Sequence, residues 1–152
     1  MRALIQRVKE GSVSIGGTVH ARMGQGLLIF LGIARTDTTD DARYLAGRCA
    51  NLRIFEDRQG KMNLSVQEIE GKTLVISQFT LYADTRRGNR PGFSDAAPPE
   101  SAEGMYDEFV KHLRAAVGDA NVGTGVFRAM MDVSFINDGP VTIMIESKEH
   151  DS

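Results

Sequence analysis

Residues 26–33, GLLIFLGI, form an unbroken apolar run that opens on glycine. A run of this length reads as a β-strand, and the absence of any polar alternation means that both of its faces are covered. The rest of the chain therefore has to supply further strands beside it and cover above and below it.

Several segments fit those roles. Residues 3–8 read as a first strand. In SVSIGGTVHA, Val13 and Ile15 alternate with Ser12 and Ser14, and Gly16-Gly17 offers the positive φ of a tight hairpin turn. From Thr38 the period changes: Ala42, Leu45, Ala46 and Cys49 mark one face of a helix whose first turn carries Asp40 and Asp41. A second helix is expected after Pro98-Pro99, with Ser101 as cap and Ala102, Met105, Tyr106, Phe109, Val110, Leu113 and Val117 as its apolar stripe up to Gly118. A strand is expected over residues 73–83, TLVISQFTLYA. Near the end, Met131, Val133 and Phe135 alternate with Asp132 and Ser134, and VTIMIE forms the final strand. The sum is one α+β domain over residues 1–147, a strand-rich, barrel-like sheet covered by two helices, followed by a flexible tail over residues 148–152.

The length of 152 residues suits one domain that buries its own core without metal or disulfide. Eighteen basic residues against twenty acidic ones give a net charge of −2, so the molecule has no general attraction for a polyanion and any nucleic-acid contact is local. Cys49 is the only cysteine, which fits a reducing compartment. The opening MRALIQRVKE interrupts its apolar residues with Arg2, Gln6, Arg7 and Lys9, and nothing later resembles a membrane span. A cytoplasmic protein is expected.

Familiar catalytic patterns are missing. His20, His112 and His150 are far apart and lack zinc-binding spacing, so no metal is expected. Cys49 lies on the apolar face of its helix and reads as core. There is no Gly-x-Ser-x-Gly elbow, and GKMNLSV is not a phosphate loop.

Two segments remain. In ISQFTLYADTRRGNRPGF, Ser77, Gln78 and Thr80 put polar groups into a run that otherwise favours burial. Behind them, Arg86, Arg87 and Arg90 crowd one glycine- and proline-containing loop with Phe93 close by: a loop able to hold phosphates beside a ring able to stack on a base, or simply a solvated turn. The second segment, INDGPVT at residues 136–142, reads either as a hairpin corner with Pro140 on a strand edge or as a Gly139-Pro140 unit in the cis form.

Taken in order, IQRV, RIFED…GKMNLSV, SQFTLYADTRRGNRPGF, AEGMYDEFV and NDGPVT resemble the D-aminoacyl-tRNA deacylases of the bacterial and general eukaryotic type over nearly the whole chain. SQFTL and NDGPVT match that family's signature motifs. The resemblance implies a homodimer that needs no cofactor, acts on D-aminoacyl-tRNA and on glycyl-tRNA, and rejects L-aminoacyl-tRNA. It assigns Ser77, Gln78, Phe79 and Thr80 to the reaction centre, Gly139 and Pro140 to chiral selection in the partner subunit's pocket, and Arg7 and Asn137 to their support. It leaves Arg86, Arg87, Arg90 and Phe93 for the tRNA. It also explains the missing triad: the ribose 2′-hydroxyl of the tRNA is to assist water, with Thr80 positioning more than attacking. One departure is Arg128, where the family pattern has a small residue. Two other readings compete: a non-catalytic RNA-binding barrel that uses the arginine loop, and a related deacylase turned toward L-alanine on tRNA.

Overall fold

The computed structural model describes residues 1–148. The chain runs β1 (Arg2–Ile15), β2 (Thr18–Met23), β3 (Gly26–Gly32), α1 (Thr39–Asn51), β4 (Phe55–Glu56), β5 (Met62–Leu64), β6 (Lys72–Ser77), a 3₁₀ turn (Phe79–Tyr82), α2 (Pro99–Val117), a second 3₁₀ turn (Asp119–Asn121), β7 (Val122–Thr124) and β8 (Asp132–Glu146). The main sheet is ordered β2-β1-β3-β6-β7, with β8 along the other edge of β1, and it curls into a nearly closed barrel.

β1 organises the sheet. One of its edges pairs first with β3 (Arg2 to Val8) and then with β2 (Gly11 to Ile15), while the whole of β8 runs antiparallel along the other. The β1–β2 hairpin closes at Gly16 and Gly17, whose φ angles of +57° and +82° are those the glycine pair was expected to supply. β3 pairs with β6, and β6 with β7, in parallel. Parallel neighbours need a long connection, and α1 and α2 lie in those two connections.

The unbroken run in β3 divides its side chains between two cores. Leu27, Ile29 and Leu31 join Ala3 and Ile5 of β1, Val75 of β6 and the buried faces of both helices in the larger cluster. Leu28, with Leu74, Ile76, Val8, Val13 and Met23, fills the opposite side. Each face is thus covered, as the lack of alternation requires.

Helix α1 is capped by Thr38, whose main-chain N–H donates to the Asp41 carboxylate at 2.8 Å. The second helix departs from expectation. Pro98 is its cap and Pro99 its first residue, so Ser101 lies inside the first turn and its hydroxyl donates back to the Pro98 carbonyl at 3.2 Å. Gly118, at φ +97°, ends α2 as expected.

Three further readings change. The strand expected over 73–83 ends at Ser77, because Gln78 leaves extended geometry and Phe79–Tyr82 coil into the 3₁₀ turn. The segments on either side of NDGPVT are one strand, β8: it does not reverse there but bulges, with Asn137 opposite Val8 and Thr142 opposite Gln6. Lys148, expected to begin a flexible tail, is tied down by a 2.8 Å bond from its Nζ to the Thr36 carbonyl, next to a 2.9 Å bond from the Ser147 N–H to the Met1 carbonyl at the end of the domain. The rest of that tail, with His150, lies outside the described residues.

Candidate active site

Ser77, Gln78, Phe79 and Thr80 stand where β6 gives way to the 3₁₀ turn. The Gln78 N–H donates to the Leu31 carbonyl at 2.8 Å, which fastens the start of the turn to β3. Gly32 lets the turn lie against that strand: a Cβ there meets the Leu81 Cβ at 2.9 Å and the Gln78 carbonyl at 3.2 Å. The turn's first internal bond runs from the Leu81 N–H to the Gln78 carbonyl, 3.2 Å, so the amides of Phe79 and Thr80 come before it and the turn itself gives them no acceptor. Phe79 is 56% exposed, a large apolar surface beside two amide donors.

The Thr80 hydroxyl accepts a hydrogen bond from Gln78 Nε2. An amide N–H is a donor and cannot take the hydroxyl proton, so this partner orients Thr80 without activating it. His112 pairs with Glu108 on α2 at 3.3 Å, and His20 lines a groove against α2. Cys49 is fully buried and its thiol is pushed up to about 12 by burial, which removes it as a nucleophile near neutrality. Among the described residues no three His, Cys, Asp or Glu side chains gather as metal ligands, and no helix is long and apolar enough to cross a membrane.

The arginine loop is a closed excursion pinned at its base by paired main-chain bonds between Asp84 and Gly92, 2.7 and 2.9 Å. Arg86, itself exposed, folds back along the loop onto that base: its Nε and Nη2 meet the two Asp84 carboxylate oxygens at 2.9 and 2.8 Å. The side-chain bond from Arg86, with one from its main-chain N–H, holds the Asp84 carboxyl at about 2. Arg87 and Arg90 are likewise exposed on the rim. Phe93 packs edge-on against Phe79 with ring centres 5.0 Å apart, so the loop and the turn form one surface.

The second motif lies elsewhere. Four residues, Asp138 to Val141, bulge out opposite the single residue Arg7, and the Gly139-Pro140 peptide at their centre is cis. Arg7 is only 6% exposed and spans from the Ile54 carbonyl (Nη1, 2.7 Å) to the Asp138 carbonyl (Nε, 3.1 Å), with the Asp138 carboxylate 3.6 Å away. Asn137 laces the bulge shut: its Oδ1 accepts from the Val141 N–H at 3.1 Å, and its Nδ2 donates to Gln6 Oε1 at 2.8 Å and Thr142 Oγ1 at 3.1 Å. Gly139 and Pro140 themselves are exposed. The result is a stiff main-chain corner, braced from beneath and open above.

Turn and corner rest on different stretches of β1, one at its start and one near its middle. Arg2 touches the turn, with Nη1 on the Leu81 carbonyl at 2.8 Å, whereas Arg7 supports the corner. The two arginines are five residue steps apart along the extended strand, about 17 Å at the usual rise. The sequence marked both motifs but not all the residues that set them in place: Arg2, Gln6, Gly32 and Thr142 act through partners distant in the chain, which one-dimensional spacing does not reveal. Arg128, the departure from the family pattern, takes φ +69°, a left-handed conformation that favours glycine, and is exposed.

The two motifs on this fold are those by which the sequence resembles a class of tRNA deacylases, and comparison with known proteins agrees with that resemblance. Residues 4–146 match the family model described as D-Tyr-tRNA(Tyr) deacylase, and the chain belongs to that family. It is 56% identical over 147 residues to a D-aminoacyl-tRNA deacylase of Chlorobaculum tepidum, covering 97% of each chain, and 54% identical over 149 residues to one of Alkaliphilus metalliredigens, covering 98% of this chain and 99% of the other. Among solved structures, a c-Myc DNA unwinding element binding protein superposes with a TM-score of 0.94 at 40% identity, over 98% of this chain and 100% of that one. A probable eukaryotic D-amino acid tRNA deacylase, at 20% identity and a TM-score of 0.82 over 95% and 98% of the two chains, shares the fold.

Proposed function

We propose that this protein hydrolyses the ester between a D-amino acid and the 3′ end of tRNA, in a site completed by two copies of the chain. One observation carries the two-copy reading: turn and corner are both outward-facing and rest on different stretches of β1, the turn on Arg2 at its start and the corner on Arg7 near its middle, so a second molecule is the simplest way to bring a corner to a turn. A two-fold pair does this twice, each copy lending its corner to the other. The exposed Phe135, Ile136 and Met144 of β8 give such a pair apolar surface to bury.

In this arrangement the substrate's acyl carbonyl faces the amides of Phe79 and Thr80, which stabilise negative charge as it develops on oxygen. Water adds to the carbonyl carbon with help from the ribose 2′-hydroxyl. The ester C–O bond then breaks, and the 3′-oxygen leaves with a proton. Gln78 and Thr80 position these groups, and no covalent intermediate with the protein forms.

The partner's Gly139 and Pro140 carbonyls receive the substrate's α-ammonium, and the corner occupies the volume an L side chain needs. A wall of main chain excludes every L residue by the same clash, whereas a D side chain points away and glycine has none. D-aminoacyl-tRNA and glycyl-tRNA are therefore substrates. Arg87 and Arg90 hold acceptor-end phosphates, with Phe93 behind them; Arg86, occupied by Asp84, shapes the loop. No cofactor takes part, and the cytoplasm, where charged tRNA is found, is the working compartment.

The direct test follows release of amino acid from D-tyrosyl-, glycyl-, L-tyrosyl- and L-alanyl-tRNA. The first two are cleaved and the last two persist. Equal rates on both tyrosyl esters remove the chiral claim. A second reading, binding of nucleic acid without catalysis, is favoured by the exposed Arg87 and Arg90 and by the DNA-binding description of the structural relative. It predicts salt-dependent tRNA binding with no release from any ester.

A further inference from the structure

We propose that Arg2 is a positioning residue for the deacylation site: its guanidinium locks the 3₁₀ turn that presents Phe79 and Thr80. The proposal rests on the assignment of that turn to the reaction. A single 3₁₀ turn has poor internal hydrogen bonding and does not hold its own shape, so its placement depends on what grips its two ends. Gln78 secures the first end through its 2.8 Å bond to Leu31, with Gly32 beneath. At the far end, the Leu81 carbonyl is one of the acceptors that a terminating turn leaves over. Arg2 Nη1 donates to it at 2.8 Å.

The same guanidinium makes two further contacts. Its Cζ lies 4.5 Å from the centre of the Tyr82 ring, and its Nε meets Glu146 Oε1 at 2.5 Å. Arg2 and Glu146 face each other across the β1–β8 register, both half-buried, so Glu146 fixes the guanidinium from the last residue of the final strand. One planar group thus joins three pieces of chain: the start of β1, the end of β8 and the end of the turn. A lysine has neither the flat face to stack on Tyr82 nor the forked donors to reach Glu146 and Leu81 together.

The experiment compares the wild type with Arg2→Ala and Arg2→Lys, at a temperature at which circular dichroism shows all three folded. Two readouts are taken: steady-state hydrolysis of D-tyrosyl-tRNA, and amide hydrogen exchange over residues 79–83 against residues 3–8. In R2A the kcat falls about tenfold or more, as a displaced reaction centre requires, while KM stays within about twofold. Exchange over 79–83 quickens while that over 3–8 is unchanged. R2K recovers only part of the loss, and millimolar guanidinium ion restores rate to R2A but not to R2K. A folded R2A with wild-type kcat and unaltered exchange overturns the proposal. So does an R2K indistinguishable from wild type, since charge alone then suffices. If the wild type itself leaves D-tyrosyl-tRNA intact, the assignment of function falls, and the exchange data alone decide whether Arg2 holds the turn.

Discussion

Arg7 Nε donates to the Asp138 main-chain carbonyl across 3.1 Å, joining a buried residue of the first strand to the chain immediately before the corner. The other arm of the guanidinium holds the Ile54 carbonyl at 2.7 Å. Replacing Arg7 by alanine strips both carbonyls of their donor and leaves a void beneath the bulge. The expected loss is about 3 kcal/mol of stability, which corresponds to a fall in Tm of roughly 5–10 °C for a chain of this size. Discrimination between D- and L-tyrosyl-tRNA weakens in the folded fraction. Thermal unfolding together with rates on the two esters checks this, and an unchanged Tm contradicts the bracing role.

Gly32 makes a related prediction for the turn. A methyl group there presses on Leu81 at 2.9 Å and on the Gln78 carbonyl at 3.2 Å, and main chain is slow to yield. Gly32→Ala therefore displaces Phe79 and Thr80 and lowers kcat by about tenfold or more, with a smaller effect on Tm than Arg7→Ala. Parallel kinetics and calorimetry separate the two effects; full activity in G32A shows that the turn's seating is not critical.

Thr80 has a Gln78 amide for its side-chain partner. If it positions, Thr80→Ala lowers kcat by about tenfold and leaves measurable turnover. If it attacks, turnover vanishes and an acyl-enzyme should be trappable from wild type by acid quench and mass spectrometry. The first result is expected.

Asp84 supplies a pH signature. Its carboxyl titrates at about 2 in the folded loop against an ordinary value of 3.8, because Arg86 bonds the charged form. A depressed carboxylate lends its stability in full above the ordinary value and loses it as pH falls toward the folded value. The loop base is thus intact at pH 5 and loosens between about pH 4 and pH 2. Carboxyl carbon NMR of Asp84 should show a midpoint near 2 that moves up toward 3.8 in Arg86→Gln; a midpoint near 4 in the wild type contradicts the pairing.

Much of this was legible in the sequence, for reasons that differ by element. The apolar run of β3, the Gly16-Gly17 hairpin and the stripe of α1 follow from local periodicity, and each formed where that periodicity placed it. SQFTLY misled because its alternation continues that of β6, while the tertiary contacts of Gln78 with Leu31 and of Leu81 with Gly32 coil it. NDGPVT carries strong turn chemistry, yet β1 is long enough to pair on both sides of it and converts an expected reversal into a bulge. Ser101 looked like a cap, but the preceding proline pair had already started the helix. Motif residues could be read from the chain, whereas their supports could not, because Arg2 reaches Leu81, Arg7 reaches Ile54 and Asp138, and Gln6 reaches Asn137 only once the sheet exists.

The most direct measurement of the account mixes two disabled chains. Gly32→Val displaces the turn and spares the corner. Gly139→Val, at φ +130° and with its Cβ 2.8 Å from Val141 Cγ2, breaks the corner and spares the turn. Each variant alone should be inactive on D-tyrosyl-tRNA. Co-refolded in equal amounts they form mixed pairs in which one site joins an intact turn to an intact corner, so about a quarter of wild-type activity should return. A mixture that stays inactive although both variants fold and pair, or full activity in either variant alone, contradicts a site shared between two copies.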